Sequence, residues 1–171
     1  MRRIGLGFVV TGMLIFISSP LFALNSEINR SSLQGLEGVR ILVEDLAPEV
    51  EQAGLAKEPL QKGIEEKLRG AGIKVLTQDE VTRTPGEPYL YVNINVTLPK
   101  GQEEACSYSV DIALIQNVIL VINPKQTTYA VTWSTGGVGL IGKKSLGQLR
   151  ESVLDFTTIF VRVFNAMNPK K

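Results

Sequence analysis

The sequence predicts an α+β protein, a two-layer sandwich in which two helices pack on one face of a mixed, mostly antiparallel sheet of about five strands. Five short stretches alternate apolar and polar residues with the period of two that is typical of a strand. Two other stretches repeat their apolar residues every three or four positions, as amphipathic helices do. Their order along residues 38–171 is β-α-β-β-β-β-α, and this length suits a single domain.

The first three elements follow a strand–helix–strand order, which predicts a crossover unit with two parallel strands. Apolar residues alternate from Val39 to Val43. A helix follows from Pro59, and its apolar face recurs every four residues at Leu60, Ile64 and Leu68. Gly72 is expected to end this helix in the left-handed conformation, and residues 73–76 form a second, short strand.

Three further strands are expected in the middle of the chain. The first, over 89–96, places on one face Leu90, Val92, Ile94 and Val96, and on the other Tyr89, Tyr91, Asn93 and Asn95. A polar turn at 100–104 leads to the next strand, whose alternation fails at Gln116-Asn117 and so predicts a bulge. Asn123-Pro124 marks a turn, after which Tyr129, Val131 and Trp133 are expected to share one face.

The C-terminal segment is the clearest helix in the sequence. Ser145 and Gln148 have the spacing of a capping box. Nine apolar residues then form a broad stripe, and they are Leu146, Leu149, Val153, Phe156, Ile159, Phe160, Val163, Phe164 and Met167. A stripe of this width needs a partner surface, and the apolar face of the sheet is the expected one.

The other face of the sheet is expected to look at solvent and is the first candidate binding surface. It carries Tyr89, Tyr91, Asn93, Asn95, Asp111, Thr132 and Ser134. Tyr and Asn together supply stacking area and adaptable hydrogen bonds, as binding surfaces often do. The simpler interpretation is that Tyr is a good strand former and Asn a soluble neighbour.

The N-terminus has the pattern of a secretory signal peptide over residues 1–23. Arg2 and Arg3 precede an uncharged apolar run from Ile4 to Ile17, and a small residue, Ala23, stands at the expected cleavage site. An uncleaved anchor is the rival interpretation, since a spanning helix needs about 20 apolar residues, but Pro20 and the small Ala23 argue against it. We therefore expect a periplasmic or secreted protein with no permanent membrane anchor after cleavage, which begins with a flexible lead-in over 24–37.

Composition excludes several classes of function. With 18 basic and 17 acidic residues, the chain lacks the basic excess that nucleic-acid binding requires. It contains no His, which removes the commonest metal ligand and the usual acid–base residue at neutral pH. A single Cys, Cys106, allows no intramolecular disulfide. We expect no metal and no cofactor.

Residues 137–142 match the dinucleotide pattern G-x-G-x-x-G, and with Lys143 they nearly match a P-loop. The dinucleotide pattern needs a further strand after the helix, and the P-loop needs Ser or Thr where Lys144 stands. We therefore interpret 136–142 as a flexible strand-to-helix connection. Its apolar residues either tuck under the last helix or form a contact for a partner or lipid surface, and they are Val138, Leu140 and Ile141.

No catalytic residues are assigned from the sequence. A serine triad lacks its His, and the paired carboxylates at Glu44-Asp45, Glu65-Glu66 and Glu103-Glu104 are more typical of solvated charges than of acid–base pairs. A reactive thiol at Cys106 would need a positive neighbour that the sequence does not supply.

Four segments carry a resemblance to a known family, and they are 35–44 (GLEGVRILVE), 68–76 (LRGAGIKVL), 88–93 (PYLYVN) and 132–136 (TWSTG). They resemble an exported bacterial family of uncharacterised proteins. At the level of fold the layout is similar to small envelope domains such as the N-terminal domain of the periplasmic translocation protein TolB. The resemblance implies export and an envelope role, and it assigns no activity.

The expected function is that of a non-enzymatic binding or accessory protein of the cell envelope, which binds another envelope protein or a small ligand through the polar sheet face or the 136–142 segment. The alternative is a hydrolase or transferase whose acid–base groups are carboxylates brought together by the fold. Self-association through the last helix is a third interpretation.

Overall fold

A computed structural model describes residues 25–98 and 105–169. Within these ranges the chain forms five strands, which are β1 (Gly38–Val43), β2 (Lys74–Val75), β3 (Tyr89–Thr97), β4 (Ala105–Leu120) and β5 (Asn123–Gly142). The helices are α1 (Glu27–Ser31), α2 (Pro48–Gln52), α3 (Lys57–Gly70), α4 (Gln78–Val81) and α5 (Leu149–Met167), and a 3₁₀ helix covers Lys143–Gln148. The predicted signal peptide over 1–23 and the predicted turn at 100–104 lie outside these residues. Among the helices described, none is long and apolar enough to span a membrane.

The five strands form one mixed sheet in the order β2-β1-β3-β4-β5. Strand β1 is parallel to both β2 and β3, while β3–β4 and β4–β5 are antiparallel. Helix α3 contacts β1 and β2, helix α5 contacts β4 and β5, and the two helices contact each other. The predicted α+β class, with two long helices against a five-stranded sheet, is confirmed.

The core lies between the sheet and these two helices. Alternate residues of β1 and β3 are buried there, among them Val39, Ile41, Leu90 and Val92. On α3, the three residues that recur every four positions are all fully buried. Gly72 has φ +80 and follows α3 directly, so it is the left-handed stop that the sequence predicts.

Helix α5 buries the predicted stripe but begins differently from the prediction. Six of its nine apolar residues are buried and three are half-buried. The ring of Phe160 packs edge-on against Trp133, with 5.4 Å between the centroids. The predicted capping box is wrong, because Ser145 and Gln148 lie in the 3₁₀ helix and no side chain caps α5. The tighter turn brings Leu146 into the core ahead of the helix.

The segment predicted to be a flexible lead-in contains α1 and is held against the core, which corrects that prediction for residues 25–37. Leu33 is fully buried. The Nε1 of Trp133 donates to Asn25 Oδ1 at 3.0 Å, and the Nδ2 of Asn168 donates to the Leu33 carbonyl at 2.9 Å. These partners lie more than 100 positions away along the chain, so no local pattern in a polar segment could indicate them.

The hairpin that joins β4 to β5 turns two residues earlier than predicted. Its two-residue turn is Val121–Ile122, since Leu120 pairs with Asn123. Pro124 therefore lies inside β5. It is tolerated because β5 is an edge strand and Pro124 falls in a register shift, where a missing N–H removes no ladder hydrogen bond.

A bulge in β5 changes which residues share a face. Leu114 pairs with Trp133, and Ile115 pairs with Val131, so Thr132 is the extra residue. The predicted bulge at Gln116-Asn117 is therefore misplaced. The prediction that Tyr129, Val131 and Trp133 share a face is also wrong, because Trp133 is fully buried whereas Val131 is 43% exposed.

Candidate functional site

The candidate functional site is the side of the sheet turned away from α3 and α5, which we call the open face. Strand pairing arranges its residues in rows across β3, β4 and β5. From one end to the other, the rows are Tyr89–Ile115–Val131, Tyr91–Ala113–Ser134, Asn93–Asp111–Gly136, Asn95–Ser109–Val138 and Thr97–Ser107–Leu140. No helix of the described residues contributes to these rows.

Five residues proposed from the sequence lie on this face together. Tyr89, Tyr91, Asn93 and Asn95 come from alternate positions of β3, and Asp111 is the direct partner of Asn93 on β4. The Nδ2 of Asn95 donates to the Oδ1 of Asn93 at 3.1 Å. The open face thus presents phenol and amide groups in one line along β3, with the Asp111 carboxylate beside them on β4.

Residues 136–142 form part of β5 and not the flexible connection that the sequence predicts. They pair with Ala105–Asp111 of β4 without a break. As a result, Val138 and Leu140 lie on the open face, 59% and 77% exposed, beside Ser109 and Ser107. The two binding surfaces that the sequence offered as alternatives are one surface.

Ile141 does not belong to that surface. It pairs with Cys106, which is fully buried, and it packs against the core. The strand alternation turns Ile141 to the helix side while it turns Leu140 outward. Its proposed role in the site is therefore corrected to a packing role.

The glycine spacing of 137–142 has a packing explanation. A Cβ built on Gly137 would lie 3.0 Å from the ring of Phe156, and one on Gly139 would lie 2.7 Å from the Tyr108 hydroxyl. Both glycines face the helix layer and give room to an aromatic ring. The dinucleotide and P-loop patterns both require a turn between strand and helix, and these residues are extended strand instead.

One groove runs between β3, β4 and β5 at the end of the open face, and we call it the β5 groove. It has a volume of about 500 Å³ and is lined by Asn95, Thr97, Ser107, Tyr108, Ser109, Val138, Gly139 and Leu140. Hydroxyl and amide groups form one part of the lining, and two exposed aliphatic side chains form the other. None of these side chains is charged, so the groove suits an amphipathic ligand that bonds by hydrogen bonds and apolar contact.

A second groove, the tyrosine groove, lies at the opposite end of the open face. It encloses about 340 Å³ and is lined by Arg40, Leu42, Tyr89, Ile115 and Tyr129. The rings of Tyr89 and Tyr129 meet edge-on with 6.0 Å between centroids, and the Arg40 guanidinium lies 5.8 Å from the centre of the Tyr89 ring. This combination favours a planar or aromatic ligand group.

Sequence reasoning assigned only Tyr89 of this groove to a binding surface. Unbroken alternation predicts that Tyr129 lies on the other face. The extra residue at Thr132 reverses the alternation of β5 and brings Tyr129 to the open face. The sequence shows Arg40 and Leu42 only as the residues that alternate with the buried ones of β1. They lie next to Tyr89 because β1 pairs with β3 in parallel.

Two tyrosines of the open face are bonded to carboxylates. The Tyr129 hydroxyl donates to Glu87, and this hydrogen bond raises the pKa of Tyr129 to about 12. The Tyr91 hydroxyl donates to Glu44, which also raises the pKa of Tyr91. The hydrogen bonds hold both phenols in one orientation, and the raised pKa keeps them neutral to a higher pH than an ordinary tyrosine.

Glu87 occupies a strained backbone position beside the tyrosine groove. Its φ is +41, and the preceding Gly86 has φ +78. The backbone N–H of Asn117 donates to the Gly86 carbonyl at 2.8 Å and the Asn117 side chain to Glu87 at 3.4 Å. The turn is thereby tied to β4, which fixes the carboxylate under Tyr129.

The carboxylate pairs at Glu44-Asp45 and Glu65-Glu66 are bonded to other groups. Asp45 forms an ion pair with Lys57, Glu65 with Arg69 at 3.0 Å, and Glu66 with Lys62 at 3.9 Å. The pair at 103–104 lies outside the described residues. Among residues 25–98 and 105–169, no group of three or more His, Cys, Asp or Glu could hold a metal ion.

No protein-family model matches this chain, and no curated protein matches it either. The resemblance noted in the sequence therefore stays an expectation, and function is inferred from the chemistry of the open face.

Proposed function

We propose that this chain is an exported, periplasmic binding or accessory protein of the cell envelope, without an enzymatic activity of its own, and that it holds its ligand on the open face. One observation carries the proposal. The β4–β5 register places Val138 in the row of Asn95 and Leu140 in the row of Thr97, so polar and apolar groups meet in one exposed surface. Such a mixture is typical of ligand and partner surfaces.

Site-specific crosslinking in living cells tests this proposal. A photoreactive phenylalanine analogue replaces Leu140 in one variant and Glu66 in a control, whose side chain is 63% exposed on α3 in the helix layer. We expect Leu140 to capture a reproducible adduct and Glu66 not to. Equal capture at both positions, or capture at Glu66 alone, would contradict the proposal.

Direct binding then follows with the captured molecule, once mass spectrometry identifies it. The variants Asn95→Ala and Leu140→Ser are expected to weaken its affinity at least about tenfold, because each removes one kind of contact from the β5 groove.

Cell fractionation checks the predicted location. Recovery of the intact chain, with residues 1–23 attached, from the cytosol would refute the export part of the proposal.

A further inference from the structure

The β4–β5 hairpin extends beyond the rest of the sheet. The last pair between β3 and β4 is Tyr89 with Ile115. Past that pair β4 continues to Leu120 with only β5 as its strand partner, over five residues or about 17 Å. The turn at Gly86 supports the hairpin near Asn117. The part beyond Asn117 projects from the sheet.

The projecting end of the hairpin is apolar and exposed. We call its three exposed aliphatic residues the apolar tip, and they are Ile119, Val121 and Ile122. They are 64%, 95% and 94% exposed. A single exposed aliphatic residue is ordinary, but three within four positions at the end of a hairpin form a concentrated apolar patch.

The turn itself is made from residues that do not favour turns. Two-residue hairpin turns are most often made from Gly, Asn or Asp. Val121 and Ile122 are both β-branched and occupy those two positions. Neither residue has a positive φ, so the cost of this choice lies in solvation, since two aliphatic side chains stand in water at the turn. Such an exposed apolar pair indicates a surface with a use elsewhere.

The charge around the tip indicates which surface it meets. Between Asp111 and Glu151 the chain contains no acidic residue. The single charge of residues 112–142 is that of Lys125, which is exposed four positions after Val121. Uncharged polar residues surround it, and they are Asn123, Gln126, Thr127 and Thr128. Residues 123–128 carry one cation and no carboxylate, while the Glu87 carboxylate lies at the base of the hairpin, bonded to Tyr129 and Asn117. An apolar end followed by a polar ring with a cation matches the layers of an anionic lipid surface.

We propose that the apolar tip inserts reversibly into the surface of a bilayer that contains anionic phospholipid. The aliphatic side chains enter the boundary of the acyl chains, and Lys125 stays among the phosphate groups. The open face lies beside the hairpin and stays accessible in this arrangement. The inference is independent of the ligand on the open face, so the two proposals can fail separately.

Vesicle binding tests the proposal with protein recovered from cells that express the full chain. Vesicles of phosphatidylglycerol and phosphatidylethanolamine are compared with vesicles of phosphatidylcholine alone. The double variant Val121→Ser/Ile122→Ser is expected to lower the partition coefficient at least about tenfold. Lys125→Gln should lower it about fivefold on the anionic vesicles only. The control, Ile28→Ser, removes an aliphatic residue that is 83% exposed on α1, away from the hairpin, and should bind as the unmodified protein does.

A probe at the tip separates insertion from any other mode of attachment. A fluorophore that reports polarity is placed on Ile122→Cys, since Cys106 is fully buried and does not compete for the label. We expect a blue shift on the anionic vesicles and quenching by lipids that carry a quencher on the acyl chain. No shift on vesicles that bind the protein, or equal binding by the tip variant, would overturn the proposal. Absence of binding to either vesicle would overturn it too, and tip-dependent capture of a protein instead would identify a protein pocket as the occupant.

Discussion

Gly136 tests whether residues 136–142 act as a strand. It lies in β5 opposite Asp111 of β4, in the centre of the open face. A Cβ built at Gly136 would lie 2.2 Å from the carbonyl oxygen of Val110 and 3.1 Å from the Cα of Asp111. Both atoms belong to the backbone, so no change of side-chain conformation relieves the contact. The variant Gly136→Ala must therefore push β4 and β5 apart.

The expected loss of stability follows from two opposing effects. Overpacking costs about 1–3 kcal/mol, and a clash with backbone belongs at the upper end, about 3 kcal/mol. Replacing Gly by Ala also restricts the unfolded chain and returns up to about 1 kcal/mol. The net loss in the free energy of unfolding is about 2 kcal/mol. For a domain of about 150 residues, this corresponds to a fall in Tm of about 4–8 °C.

Urea and thermal denaturation measure this loss, with Gly142→Ala as the matched control. Gly142 ends the same strand, and the nearest atom to its built Cβ is the Ser145 Oγ at 3.9 Å. The control should stay within about 0.5 kcal/mol of the unmodified protein. If both variants are equally stable, residues 136–142 behave as the flexible connection that the sequence predicts, and the reasoning from the β4–β5 register fails.

Two further predictions concern the tyrosine groove and the core. Glu87→Gln should lower the pKa of Tyr129 from about 12 towards its ordinary value of 10, as measured by ultraviolet absorbance titration. Because this pKa is raised in the folded state, the hydrogen bond stabilises the fold below about pH 10 and is lost between about pH 10 and 12. An unchanged titration curve would show that Glu87 does not hold the phenol. Phe160→Ala removes a fully buried ring and should cost about 3–5 kcal/mol in urea denaturation, whereas a loss under about 1 kcal/mol would contradict the packing between α5 and the sheet.

The fold class was predictable because its elements are defined by local periodicity. The residues of α3 that recur every four positions all face the core, and so do the alternate residues of β1 and β3. Each of these patterns places apolar residues on one side of an element, and burial of that side needs no knowledge of the partner. The stop at Gly72 was predictable for the same reason, since only its own backbone angles decide it.

The candidate site was only half predictable. The polar side of β3 could be identified from alternation, but Val138 and Leu140 could not be added to it. A glycine-rich segment looks like a connection when it is examined alone, and the rings that explain two of its glycines, Tyr108 and Phe156, come from distant elements. The tyrosine groove was missed because one extra residue at Thr132 reverses every face assignment before it in β5.

The sequence by itself determined the number, kind and order of the main elements and the sides that they bury, because a period of two or of about four is a property of neighbouring residues. Only the tertiary structure decided the parallel pairing of β1 with β3, the register of β4 with β5 and the docking of residues 25–37. These features depend on contacts between residues far apart in the chain. The shape and chemistry of the open face depend on the same contacts, so they became visible only once the strands were paired.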